Sequence, residues 1–89
     1  METYNWIVSG RVQGVGFRYF TYAIASKYSL KGWVRNLSDG SVEIMIQGDT
    51  DRISNLKKYL IRGNKFIKVK EIKEQTLTTD EFSNFEIRY

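Results

Sequence analysis

Between Gly10 and Arg18 the chain reads Gly-Arg-Val-Gln-Gly-Val-Gly-Phe-Arg, three glycines that run into a helix-like apolar periodicity and an arginine. Gly14 and Gly16 free the backbone for unusual torsions and for close approach to a ligand. Successive amides in such a turn form a concave nest for an anion. The helix that follows aims its N-terminal dipole and free amides at the same place. Arg18 adds a planar donor array matched to phosphate oxygens. A cation in the first turn of a helix opposes it by about 0.3–1 kcal/mol, and a bound anion would offset that cost. Capture of a phosphoryl group is the chemistry indicated, against the plainer alternative of a tight turn with a solvated arginine.

Two familiar glycine fingerprints do not apply. A dinucleotide G-x-G-x-x-G begun at Gly14 needs glycine at position 19, where Tyr19 stands. A Walker A loop begun at Gly10 needs glycine at 15 followed by lysine, and Val15, Gly16 and Phe17 occur instead. No carboxylate lies nearby to hold magnesium, so nucleoside triphosphate chemistry is not expected.

Composition narrows the chemistry further. Eighty-nine residues accommodate one domain, taken as residues 1–89. An apolar share of 42% with 27% charged residues suits a folded chain rather than a disordered one. Cysteine and histidine are both absent. That removes disulfides, thiol nucleophiles, the usual general base near pH 7 and the common zinc ligands, so neither a metal nor a cofactor is expected. No signal peptide or membrane span is visible, and a cytoplasmic protein is expected.

The net charge of +4 is unevenly placed. Seven bases and one acid, Glu71, lie between Lys57 and Lys73, a run expected to form a solvated helix face and an edge strand. No carboxylate occurs between Glu2 and Asp39, whereas Arg11, Arg18, Lys27, Lys31 and Arg35 do. That acid-free stretch surrounds the glycine loop and favours an anion there.

The elements that must position this loop follow from periodicity. Tyr4, Trp6 and Val8 alternate as a strand, and Phe17, Phe20, Ile24 and Tyr28 form the apolar stripe of a helix ending near Ser29. Gly32 to Leu37 is a strand leading into a hairpin at Asp39-Gly40. Val42, Ile44 and Ile46 give a third strand with one buried face. Asp49 or Thr50 caps a second helix whose stripe is Ile53, Leu56, Leu60 and Ile61. Gly63-Asn64 closes it. Phe66 to Ile72 resumes strand character with a bulge, because Ile67 and Val69 are out of phase with Ile72. Phe85 to Tyr89 alternates again. This order implies an α+β, ferredoxin-like split β-α-β fold (βαββαβ), with two helices on one face of a mostly antiparallel sheet and a short terminal strand. Aromatic residues, 15% of the chain, are expected to supply much of the core.

The segment Gly10 to Arg18, with Gly32-Trp33-Val34-Arg35-Asn36, Gly40-Ser41-Val42-Glu43 and Gln47-Gly48 at these separations, resembles the acylphosphatase family over essentially the whole chain. The resemblance implies the ferredoxin-like fold and metal-independent hydrolysis of the carboxyl–phosphate bond of acyl phosphates. Arg18 would then hold the phosphoryl group, Asn36 would orient the attacking water, and residues Val12, Gln13, Gly14, Val15, Gly16 and Phe17 would form the amide cradle. It also implies a small-molecule acyl phosphate as substrate, inorganic phosphate as product, and no nucleic-acid partner; a monomer is expected. Positions Arg11, Gly16 and Tyr19 leave the substrate preference open. From the residues alone, serving the turn before Asp39-Gly40 is the favoured reading of Asn36. The competing reading of the whole chain is a basic ferredoxin-like binding module, for RNA through sheet aromatics or for a phosphometabolite, without catalysis.

Overall fold

In the computed structural model, which describes residues 1–89, the first alternation becomes strand β1 (Glu2–Arg11). Helix α1 (Phe17–Lys27), strands β2 (Lys31–Asn36) and β3 (Val42–Gly48), helix α2 (Thr50–Arg62), strand β4 (Lys68–Leu77) and the short β5 (Phe85–Ile87) follow. The strands form one sheet in the order β4-β1-β3-β2-β5. Every neighbouring pair is antiparallel except β2 and β5. This is the ferredoxin-like α+β fold expected from the element order.

Both helices lie on one face of the sheet. Trp6 and Val8, Val42, Ile44 and Ile46, and Val34 face Phe17 and Ala25 of α1 and Ile53, Leu56 and Leu60 of α2 in a single core. The bulge falls where the phase change indicated. Ser9 pairs with Glu71 and Gly10 with Val69, so Lys70 is the additional residue. β4 is an edge strand, and its exposed Lys68, Lys70 and Lys73 discourage pairing with another chain.

Three expectations need correcting. The fully buried line of α1 is Phe17, Thr21 and Ala25, while Phe20, Ile24 and Tyr28 pack half-buried beside it. Small residues at the closest approach let the helix backbone sit near the sheet, and Thr21 satisfies its hydroxyl by donating to the Phe17 carbonyl at 2.9 Å. Ile61 is 58% exposed, because it follows Leu60 by about 100° around the helix and so leaves the buried line. The aromatic contribution is smaller than composition implied. Trp6, Phe17, Trp33 and Phe85 are buried, but no tyrosine is.

Strand direction places the site. β1 and β2 are each antiparallel to β3, so they run the same way, and β5 runs parallel to β2. The C-terminal ends of β1, β2 and β5 therefore gather at one end of the sheet, where α1 begins. Gln47, buried, anchors the connection that carries the chain from the β4 edge to the β5 edge. Its Nε2 donates to the Thr3 hydroxyl and the Asp80 carbonyl, and its Oε1 accepts from the Phe82 amide at 2.8 Å.

Candidate functional site

At that end lies a cleft of about 240 Å3, lined by Val12, Gly14, Gly16, Phe17, Arg18, Tyr19, Asn36, Ile87 and Tyr89. Its floor is the glycine loop. Gly14 and Gly16 have φ of +73° and +78°, where a side chain is strained, and Gly16 stands as the N-cap of α1. No protein atom lies within 4 Å of where a Cβ would sit at either position. Glycine is thus required by the backbone torsion rather than by packing within the chain.

The loop amides are left open. None of the amides from residue 12 to residue 19 donates a hydrogen bond to another backbone group, the first such bond of α1 being Phe20 to Gly16 at 3.0 Å. No side chain caps α1 and no acid lies in its first turn. α2 is the internal contrast: Asp49 caps it by accepting from the Asp51 amide at 2.8 Å, and Asp51 adds negative charge to its first turn. One helix start is neutralised by its own sequence, and the other faces the cleft with free donors and positive potential.

Arg18 increases that potential. It is absent from every ion pair of the structure. Instead its Nη1 donates to the Arg88 carbonyl at 3.2 Å, and its guanidinium lies 4.6 Å from the centre of the Tyr89 ring. The C-terminal segment after β5 thus holds the arginine from behind without cancelling its charge. Sequence reasoning missed Arg88 and Tyr89 in this role and Ile87 in the lining; only the parallel pairing of β5 with β2 brings them here, and no local signal announces it.

Asn36 is the last residue of β2, opposite Val42, and its carboxamide hydrogen-bonds to no other group of the chain. The alternative that it serves the hairpin turn is not what occurs. That turn is held by Asp39, whose carboxylate accepts from the Ser41 amide and hydroxyl, and by Gln13. The Ser41 donors keep the Asp39 carboxyl below its ordinary pKa.

Of the expected cradle, Val12, Gly14, Gly16 and Phe17 line the cleft, and Gln13 and Val15 do not. Val15 packs half-buried against the core. Gln13 turns its side chain away and its Nε2 donates to the carbonyls of Leu37 at 2.7 Å and Ser41 at 2.8 Å. It fastens the loop to the β2–β3 hairpin, immediately after Asn36. Tyr19 borders the cleft, whereas Trp33 lies on the opposite face of the sheet from Val34 and the helices. There Arg88 and Arg35 cover its ring at 4.7 Å and 5.2 Å, leaving it 8% exposed. A sheet surface that binds RNA needs exposed rings for stacking, and this ring is already occupied. Nowhere do three His, Cys, Asp or Glu side chains gather as a metal-ligand set.

Residues 4–87 match the family model Acylphosphatase. The chain belongs to the acylphosphatase family. It is 47% identical to an acylphosphatase of Bacillus licheniformis over 90 residues, covering all of both chains. It is 39% identical to an acylphosphatase of Petrotoga mobilis over 96% of each. The crystal structure of an acylphosphatase from Bacillus subtilis superposes with a TM-score of 0.95 at 40% identity, again over the full length of both chains. Membership makes this small chain an acylphosphatase-type hydrolase. None of its helices is long and apolar enough to cross a membrane.

Proposed function

We propose that residues 1–89 act as one unit that hydrolyses the carboxyl–phosphate bond of small acyl phosphates without a metal ion. The observation that carries this is the convergence, on one cleft free of aspartate and glutamate, of unbonded loop amides, an unpaired Arg18 and an unpartnered Asn36 carboxamide. The amides of the loop and the guanidinium hold the three terminal phosphoryl oxygens, and Asn36 accepts from the incoming water through its carbonyl oxygen.

The atoms balance without any other group. Water oxygen bonds to phosphorus as the bond between phosphorus and the acyl oxygen breaks, and that electron pair leaves as a carboxylate. One water proton passes to a phosphoryl oxygen, so an acyl phosphate dianion and water become a carboxylate and dihydrogen phosphate. A carboxylic acid has a pKa of only about 4–5, so the leaving group needs no general acid. What is left is orientation and charge stabilisation, which fixed dipoles supply in a preorganised site. The same proposal takes the protein to be a cytoplasmic monomer acting on a diffusing substrate.

The decisive test is release of phosphate from acetyl phosphate in excess chelator. Arg18→Ala is expected to raise KM and lower kcat, since it removes contacts made in both ground and transition states. Asn36→Ala is expected to lower kcat about 100-fold or more, the usual scale for losing one such group, while inorganic phosphate still binds. Normal turnover by Asn36→Ala removes the water-orienting role, and loss of activity to the chelator removes the metal-free mechanism.

A further inference from the structure

We infer that the acyl half of the preferred substrate is a compact, uncharged apolar group, seated against Tyr19, Ile87 and Tyr89. This rests on the hydrolase reading above and goes beyond it by naming the substrate class. The cleft volume of about 240 Å3 is room for roughly eight waters at about 30 Å3 each, more than the five heavy atoms of a phosphate group. The excess is not polar. Once the glycine loop, Arg18 and Asn36 are assigned to the phosphoryl group and the water, the remaining wall is aromatic and aliphatic.

Charge points the same way. Arg18 carries the sole charged side chain of the lining. Arg35, next to Asn36, and Arg88, between Ile87 and Tyr89, are turned to the far face of the sheet, Arg35 onto Glu43 at 2.7 Å and Arg88 onto Glu86 at 3.1 Å. A second anionic group seated in the cleft would therefore meet no second cation in its lining and would lose hydration without compensation. One ring at the mouth stands open to solvent. Tyr19 is 67% exposed, and it is braced in a chain of contacts, 6.1 Å to Tyr22 and from there 6.3 Å to Phe85. Tyr89, exposed beyond the cleft, lies against the Arg18 guanidinium and completes this wall.

The test compares kcat/KM for benzoyl, acetyl and succinyl phosphate in chelator, each corrected for spontaneous hydrolysis. Benzoyl phosphate is expected to exceed acetyl phosphate by about ten-fold, the return on partly burying one ring face, with succinyl phosphate the poorest. Tyr19→Ala, at an exposed position that folding tolerates, should reduce the benzoyl-to-acetyl ratio about five-fold, and Tyr19→Phe should preserve it. An unchanged ratio in Tyr19→Ala, or succinyl phosphate as the best substrate, overturns the inference and leaves the hydrolase standing. Failure of the parent protein to hydrolyse any of the three removes both.

Discussion

Replacing Gln13 with alanine separates the loop from the hairpin without touching any group that contacts substrate. Its side-chain amide makes two part-buried bonds, at 2.7 Å and 2.8 Å, to carbonyls on either side of the turn. Each is worth about 0.5–1.5 kcal/mol. The carbonyls are not orphaned by the change, since Leu37 still accepts from the Gly40 amide at 3.3 Å and Ser41 from the Leu37 amide at 2.9 Å. Freeing a glutamine side chain also returns up to about 1.5–2 kcal/mol of entropy. The net loss of stability should therefore be about 1 kcal/mol, a fall in Tm of about 4–8 °C for a domain of this size. The effect on the site should be larger than that suggests, because the cradle and Asn36 sit on different elements that only this side chain ties directly. Urea denaturation, inorganic phosphate binding by calorimetry and steady-state kinetics on one preparation test it. Expected are a modest loss of stability, nearly intact phosphate affinity and kcat reduced about ten-fold, because a misplacement of 1 Å costs up to about 100-fold. Asp39→Ala, which loosens the same turn from within but keeps the loop attached, should lose stability and retain more of kcat. If Gln13→Ala loses stability and keeps full kcat, the staple holds the fold alone and does not align the site.

Two further outcomes follow from the fold. Gly32→Ala should destabilise by about 3–5 kcal/mol, because a Cβ there falls 1.8 Å from the Met45 carbonyl oxygen at φ +134°. Against a total of roughly 5–13 kcal/mol for a chain of this length, a Tm within a few degrees of the parent would contradict that geometry. Glu74 should contribute to stability only above mildly acidic pH. The Lys57 ammonium, helped by the Trp6 indole N–H, holds its carboxyl below the ordinary 4.5. A depressed folded pKa means that the contribution is complete above the unfolded value and disappears as pH falls through the folded one. Urea stability of the parent should exceed that of Glu74→Gln by under about 1 kcal/mol at pH 7, and the gap should close toward pH 3. A gap independent of pH would contradict this ion pair.

Much of this protein was legible in its residues because the signals are local. Alternation in β1 and β3, the Asp49 cap and the phase change before Ile72 each depend on neighbours a few positions apart. The geometry of the glycine loop was legible for the same reason, since positive φ at Gly14 and Gly16, free amides and Arg18 fall within one turn of chain. Where the reading missed, the deciding contact was remote. Thr21 and Ala25, not Phe20 and Ile24, face the sheet because the helix must come close to it, and periodicity alone does not select which line that is. The Gln13 side chain gave no local sign of being a staple, which it became only when the hairpin 24 and 28 residues away came within reach. Asn36 read locally as a turn residue, and only the contacts of Gln13 and Asp39 show the turn held without it.

From the sequence by itself came the chemistry on offer: no thiol, no imidazole, no acid from Glu2 to Asp39, and a glycine-bent anion loop ending in an arginine. These are matters of composition and of backbone torsion over a few residues. Tertiary structure alone decided that the cleft is half apolar and that Arg18 is held from behind by Arg88 and Tyr89. Those contacts join residues some 70 positions apart. They exist because β5 adds in parallel to β2, after Gln47 has anchored the crossing, and brings its last residues to the end of the sheet where α1 begins.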